Sequence, residues 1–296
     1  MHRRGLMPGS SVAAVVVTFH PDAGVVENLA ILRPNVEHVV VVDNGSDRAE
    51  LQLIREASLR IGFQLIENGE NLGIATALNL GIRCALGLQV GWISLFDQDS
   101  RLTPGYIETM LRGFRQREAV GPVGLLVPVY NDLRTGFAIP ADWLPDGSLE
   151  VTVTSGSLLR AETFMRCGLF VDELFIDGVD HEYSLRLRKA GFPLYECAEA
   201  TLLHSPGTPA QHQLPAGKKF QTANYSPIRR YYQERNKIWL AKHYAFRFPR
   251  FCLRMFVVSL KDFTKICFVE PDDRLRKVKF FLRGTWDGIR GRYGKL

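Results

Sequence analysis

Residues 12–46 read VAAVVVTFHPDAGVVENLAILRPNVEHVVVVDNGS, and this stretch decides the fold class. Residues 12–19 form a β-branched run that stops at His20-Pro21, which predicts a buried parallel strand. Residues 22–33 place Val25, Val26, Leu29 and Ala30 on one helical face ahead of Pro34. Residues 38–42 repeat the buried-strand pattern and close on Asp43-Asn44-Gly45-Ser46.

The same unit recurs downstream. A helix is expected over 48–61, a strand over 62–67, a helix with small residues on one face over 71–87, and a strand over 92–96 ending in Asp97-Gln98-Asp99. Thr103 and Pro104 then read as the N-cap and first residue of another helix. Repeated strand–helix alternation implies a parallel α/β sheet with helices on both faces. Ligands of such sheets lie beyond the carboxyl ends of the strands. Thr18–His20, Asp43–Ser46 and Asp97–Asp99 all fall at those ends, so position makes them candidates.

After residue 120 the pattern is mixed. Strands are expected over 123–129, 151–154 and 200–203, a short helix over 161–167 stopped by Gly168, and a helix opened by Asp177 and ending at Gly191. Residues 205–226 carry Pro206, Gly207, Pro209, Pro215 and Gly217, a loop of the length used for lids and binding loops.

With 296 residues, 46% hydrophobic and 23% charged, the chain is neither a disordered tail protein, a collagen-like repeat nor a small disulfide scaffold. The net charge of +6 is unevenly split. Residues 1–226 hold 19 Lys+Arg against 25 Asp+Glu, and residues 227–296 hold 18 against 6. A basic tail of this kind suits an anionic surface. Cys84, Cys167, Cys197, Cys252 and Cys267 are odd in number and widely spaced, which reads as reduced thiols of a cytosolic protein. Residues 1–10 lack the apolar core of a signal peptide and are expected to be disordered, and no run reaches bilayer-spanning length. In the tail, a helical wheel puts Cys252, Met255, Phe256, Ser259, Phe263, Ile266 and Cys267 on one face, with Arg250, Arg254, Lys261 and Lys265 opposite. A second basic helical segment, 274–283, follows.

Carboxylates at i and i+2 project the same way where a strand persists. Asp97 and Asp99 are therefore suited to a hard divalent cation that also holds a diphosphate, although a solvated turn uses the same residues. Asp43 is either part of a tight turn or an acceptor for a base or ribose. Asn71, Gly73 and Ala77 open a helix whose start favours an anion, or simply pack it closely on the sheet. No G-x-G-x-x-G follows the first strand and no G-x-x-x-x-G-K-[ST] occurs, which argues against a dinucleotide-dependent dehydrogenase and a P-loop ATPase. Asp177 and Asp180 read as N-cap and N3 of a helix, where Asp180 would stay ionised and able to take a proton. His204, at a strand end, is a candidate imidazole ligand beside such a metal.

Taken in order, these residues resemble the family 2 glycosyltransferases, and more narrowly bacterial rhamnosyltransferases of O-antigen and other cell-surface polysaccharides. The resemblance runs from Val17-Thr18-Phe19 through Val42–Ser46, Asn71–Gly81, Phe96–Ser100, Ser155-Gly156, Leu174–Glu182 and His204 to Tyr231-Tyr232-x-x-Arg235-Asn236. It implies a GT-A fold over 11–226, with a donor half 11–120, an acceptor half 121–226 and a basic helical tail 227–296. It also implies a metal-dependent, inverting transfer from dTDP-β-L-rhamnose, with Mg²⁺ or Mn²⁺ held by Asp99, Asp97 and His204. Thr18, Phe19, His20, Asp43, Asn44, Asn71, Gly73, Ala77, Asp97, Gln98, Asp99 and Arg235 would bind donor. Ser155, Gly156 and Glu182 would face the acceptor. Val179 replaces the Glu of the family's Glu-Asp pair, which leaves Asp180 as general base and Asp177 as its rival. The Gln-x-x-Arg-Trp box of processive synthases is absent, Arg235-Asn236 standing near its place, which implies single-sugar addition. The acceptor would be a saccharide or lipid-linked glycan. The enzyme would be cytoplasmic, peripheral at the inner face of the membrane through residues 246–283, with a homodimer through the tail as the other use of that face. Another donor, a UDP-hexose or GDP-mannose, is the neighbouring alternative. A non-catalytic polyanion-binding module is the distant one, and nucleic acid is disfavoured because no reader motif occurs.

Overall fold

The computed structural model describes residues 11–132, 137–204, 210–213, 219–222, 224–270 and 272–296, with the backbone alone at 204, 210–213 and 219–222. The expectations for residues 1–10 lie outside the described residues. Two compact units result: Met1–Val171 with Asp180–Ser205, and Asp172–Val179 with Pro206–Leu296. The second unit thus begins at Pro206 rather than 227, and it takes in eight residues from the middle of the chain.

The first unit opens with β1 (Val12–Thr18), α1 (Gly24–Leu32), β2 (His38–Asp43), α2 (Arg48–Ile61), β3 (Gln64–Glu67), α3 (Ile74–Gly87) and β4 (Trp92–Asp97). It continues with β5 (Arg101–Leu102), α4 (Tyr106–Glu118), β6 (Leu125–Asp132), β7 (Ser157–Arg160), α5 (Ala161–Cys167), α6 (Val179–Lys189) and β8 (Leu194–His204). One sheet runs in the order β3-β2-β1-β4-β7-β6-β8-β5. The four strands expected from the β-branched runs are parallel neighbours. β7 is antiparallel to both β4 and β6, whereas β6 and β8 are parallel. The residues of β1 are buried throughout, as a strand between two helical layers must be. α3 lies close on the sheet because Gly81 has no Cβ; one there would collide with Val15.

Three local expectations differ. Residues 151–154 are not a strand, because the buried Tyr130 hydroxyl takes the carbonyls of Val153 and Ser155 at 3.2 and 2.7 Å, and pairing with β4 starts only at Ser157. Thr103 does not cap α4, since its hydroxyl donates to the Thr201 carbonyl and the helix starts at Tyr106. Within the expected loop 205–226, β9 (Ala210–Gln213) and β10 (Lys219–Thr222) pair as an antiparallel ribbon.

The second unit is built on α7 (Pro227–Tyr244), α8 (Pro249–Phe268) and α9 (Arg274–Arg290). Ser226 caps α7 by accepting from the Arg229 amide, with Pro227 at the first helical position. Gly284 and Gly288 let α9 approach α7, since side chains there would meet the Tyr231 and Arg235 carbonyls. Phe175, Tyr231 and Tyr232 form its aromatic core.

Candidate active site

The register sets Thr18 opposite Asp43 and Val17 opposite Asp97, so β1, β2 and β4 end together. Asp43 is only 1% exposed. Its Oδ2 accepts from the amides of Gly45 and Ser46 at 3.1 and 3.0 Å, and its Oδ1 from the hydroxyls of Ser46 and Thr18 at 2.5 and 3.1 Å. A carboxylate has about four lone-pair sites, and all four are used. Asp43 therefore shapes the turn, the first of the two uses that the sequence allows it. Gly45, at φ +90°, is required there because a Cβ would collide with the backbone of Glu70 and Asn71.

That backbone is tied to the turn by amides. Asn44 donates to Asn71 Oδ1 at 3.1 Å and accepts from Asn68 and the Leu72 amide, both at 3.0 Å. The Gly73 amide donates to Asn71 Oδ1 at 2.9 Å. Asn44, Asn71 and Gly73 thus fix one rim of the strand-end crevice. Ala77 is buried and serves helix–sheet packing.

The other rim is the end of β4. Gln98 bridges back to β1, accepting from the Phe19 amide at 2.8 Å and donating to its carbonyl at 3.2 Å. Asp97 and Asp99 are exposed, as ligand-facing carboxylates need to be. Ser155 supports this corner from behind. Its hydroxyl accepts from the Asp97 amide at 3.0 Å and bonds Ser100 at 2.7 Å. Gly156, at φ +74°, packs where a Cβ would strike Tyr106 and Leu202. Ser155 and Gly156 therefore buttress the Asp97–Asp99 turn, where an acceptor-facing role was expected.

Asp180 lies in the first turn of α6 and accepts from Thr154 Oγ1 at 2.8 Å. Ser155, the neighbour of Thr154, accepts from the Asp97 amide, and the buried Tyr130 phenol donates to the Val153 and Ser155 carbonyls on either side of Thr154. Burial, then the charge of Asp180 and more weakly that of Asp97, push the Tyr130 pKa well above the ordinary tyrosine value. Tyr130 and Thr154 carried no sequence signal, because a Tyr in an apolar strand and a Thr in a β-branched run read as framework. Glu182 is buried and gives both oxygens to Arg186, at 3.0 and 2.6 Å, so it anchors α6 to its own next turn.

His20 has φ +46°, and its Nδ1–H donates to Glu50 Oε2 at 2.7 Å, with Asp47 at 3.9 Å. The hydrogen bond to Glu50 foremost raises its pKa. Among the described residues, His20, Asp47 and Glu50 form the group of three close enough to share an ion. The backbone of His204 pairs with Asp132 at the ends of β8 and β6. Its side chain lies outside the described residues.

Asp177 and Arg235 belong to the second unit. Asp177 does not cap α6. It has φ +61°, and its carboxylate is bound by Arg229 Nε and Nη2 at 3.1 Å. Arg235 is 1% exposed, with its donors on the carbonyls of Glu173, Leu174 and Gly294 and on Asn236. Such an arginine is spent inside its own unit, where a donor contact was expected.

Residues 23–140 match the model of glycosyl transferase family 2. The dTDP-rhamnosyl transferase RfbF of Shigella flexneri is 30% identical over 300 residues, covering 95% of this chain and 96% of that one. The chain is a family 2 glycosyltransferase. The galactofuranosyltransferase GlfT1 of Mycolicibacterium smegmatis is 26% identical over 249 residues, covering 76% of this chain and 82% of its own. Among solved structures, the mannosyltransferase PcManGT of Pyrobaculum calidifontis, in complex with GDP-Man and Mn²⁺, superposes with a TM-score of 0.57 at 13% identity, covering 97% of this chain and 90% of that one. This establishes the GT-A fold for the glycosyltransferase, with a C-terminal segment that is helical as expected.

Proposed function

We propose that the enzyme moves L-rhamnose from dTDP-β-L-rhamnose to a hydroxyl of a saccharide acceptor carried on a lipid, with inversion at the anomeric carbon, in cell-surface polysaccharide synthesis. The full-length likeness to the Shigella transferase supports the donor. The observation that carries the chemistry is the exposed pair Asp97 and Asp99 in the same unit as the half-buried Asp180, held by neighbouring residues: Ser155 Oγ accepts from the Asp97 amide and Thr154 Oγ1 donates to Asp180.

A sugar hydroxyl becomes a competent nucleophile when a positioned carboxylate removes its proton in the transition state. Asp180 takes that proton, oriented by Thr154. Asp177 is the weaker rival because Arg229 engages its carboxylate. Attack opposite the diphosphate inverts the anomeric carbon. The Asn44–Asn71 rim and the Phe19–Gln98 bridge shape the crevice for the nucleotide, with Thr18 and His20 beside them. The oxygen donors of Asp97 and Asp99 fit a hard divalent ion, Mg²⁺ or Mn²⁺, with His204 as a further ligand. Such an ion would stabilise charge on the departing diphosphate.

The helical unit supplies the attachment. No described helix is long and apolar enough to cross a membrane. Phe251 and Ile266 of α8 are buried, while Leu253, Phe256, Val257 and Leu260 are exposed beside Arg250, Arg254, Lys261 and Lys265. The wheel grouped Phe256 with the packed face; in the fold it belongs to this second, open stripe. On α9, Leu275, Leu282, Trp286 and Ile289 are exposed beside Arg276, Lys279, Arg283 and Arg290. Apolar stripes bordered by cations fit an anionic bilayer surface at the inner face of the membrane. A second copy would instead set cations against cations, which disfavours the dimer reading.

Two measurements test these readings. In a donor panel, nucleoside diphosphate release should be greatest with dTDP-β-L-rhamnose and should stop on chelation. Greater turnover of a UDP-hexose or GDP-mannose would move the enzyme to another donor, and no turnover of any donor would favour the non-catalytic module. In flotation, the protein should rise with vesicles containing anionic phospholipid, and Phe256→Asp/Leu260→Asp should stay at the bottom. Equal behaviour of both proteins, or a dimer that the same change dissolves, would remove the membrane reading.

A further inference from the structure

The segment Asp172–Val179 ends one residue before Asp180, and its backbone is unusual. Phe175 and Asp177 have φ of +63° and +61°, and Gly178 has +79°. Two non-glycine residues in the left-handed region within three positions are rare, and such backbone persists only where its surroundings over-determine it.

The surroundings here are two consecutive side chains of α7. Arg235 Nη2 donates to the carbonyls of Glu173 and Leu174 at 3.0 and 2.9 Å. Its Nε donates to Asn236 Oδ1 at 2.9 Å, which sets the amide group for its own task. Asn236 Nδ2 then reaches the carbonyls of Leu174, Ile176 and Asp177 at 2.8, 2.8 and 2.6 Å. Two side chains thus hold the carbonyls of four of the five residues 173–177. Phe175 stacks on Tyr232 with ring centroids 5.0 Å apart, and Arg229 holds the Asp177 carboxylate. Gly178 comes close to Asn236, where an added Cβ would lie 3.4 Å from Asn236 Cβ.

We propose that Arg235 and Asn236 are positioning residues for transfer: by clamping the left-handed segment 173–177 they fix the backbone on which α6 starts, at Val179, the residue bonded to Asp180. The burial of Arg235 favours this role over contact with the donor. Asn236 is the more telling member, because serine or aspartate is close in size yet lacks the amide donors that reach the three carbonyls. The inference rests on Asp180 being the base.

The test uses the full chain with dTDP-β-L-rhamnose as donor and water as acceptor, comparing Asn236→Ser, Asn236→Asp, Arg235→Lys and Asp180→Asn. Thermal unfolding and amide exchange over 173–181 are measured beside kcat and donor KM. We expect the Asn236 variants to unfold cooperatively, to exchange faster over 173–181, and to lose roughly 10²-fold in kcat with donor KM within a few-fold of wild type, as a misplaced catalytic group does. Arg235→Lys, which keeps the charge but gathers its donors on one nitrogen, should fall between. Two results would overturn the clamp: unchanged exchange in folded Asn236 variants, or normal kcat despite faster exchange. A kcat loss that only tracks the unfolded fraction would likewise reduce the pair to a structural role. Retained turnover in Asp180→Asn would instead remove the base assignment itself, whatever the Asn236 variants do.

Discussion

The exposed acids at the end of β4 contrast with the buried acids of the helical unit. At the ends of β1, β2 and β4, Asp97 and Asp99 are exposed. In the helical unit, three acids of the tail are drawn inward, while Asp272 and Asp273 stay exposed. Glu270 is fully buried between Arg230 and Lys277, at 2.5 and 2.7 Å, Glu234 is paired with Lys237 at 2.6 Å, and Asp287 takes the Tyr231 hydroxyl at 3.0 Å. The exposed surface of α8 and α9 is consequently left to lysine, arginine and apolar residues. Exposed acids are proposed for ligand chemistry in one unit, and buried acids neutralise cations in the other. The basic character of the tail's surface is thus partly made by folding, which removes Glu234, Glu270 and Asp287 from view.

That contrast can be broken at Glu270. Glu270→Gln should leave two buried cations short of a counter-charge and destabilise the protein by about 3–5 kcal/mol, since removing one partner of a buried ion pair costs that much. A melting temperature close to wild type would mean that the internal acids are not structural. Asp99→Asn should do the reverse. Donor turnover should fall roughly 10²–10³-fold, the scale of losing one preorganised charge-stabilising group. Stability should move by no more than about 0.5 kcal/mol, as for other exposed substitutions. A large loss of stability there would put Asp99 in the framework instead.

Gly45→Ala sharpens the picture of the donor rim. It should cost about 1–3 kcal/mol, the usual penalty of overpacking, and raise donor KM, because the Asp43–Ser46 turn must move away from Glu70. Unchanged KM would detach that turn from the nucleotide. The smallest effect is expected at His20. Glu50 holds its pKa above the ordinary histidine value, so its nuclear magnetic resonance titration midpoint should lie high and should fall in Glu50→Gln. The pairing helps below the unfolded histidine pKa and fades as pH rises through the raised value. On so exposed a pair the effect belongs to the midpoint and not to stability.

The donor half of the sheet was legible because strands buried on both faces must be apolar throughout and end in polar turns; α2 and α5 occupy the expected residues 48–61 and 161–167. What stayed hidden depended on partners far away in sequence. The carbonyls of 153 and 155 turn to Tyr130, and so 151–154 is no strand. Asp43 reads as a turn residue or a ligand-binding carboxylate until its four internal hydrogen bonds are seen, and Asp177 looks like a helix cap until Arg229 is. Arg235-Asn236 stood out as a motif, but its carbonyl partners sit about sixty positions earlier, beyond any local pattern.

The central claim is that Asp180 takes the acceptor proton in a donor site built by the strand ends. The most direct measurement is dTDP-rhamnose binding and turnover in purified Asp180→Asn. Donor affinity should stay at the wild-type level while transfer falls by roughly 10²–10⁴-fold, the contribution of a general base. Near-normal turnover with intact binding would contradict the account.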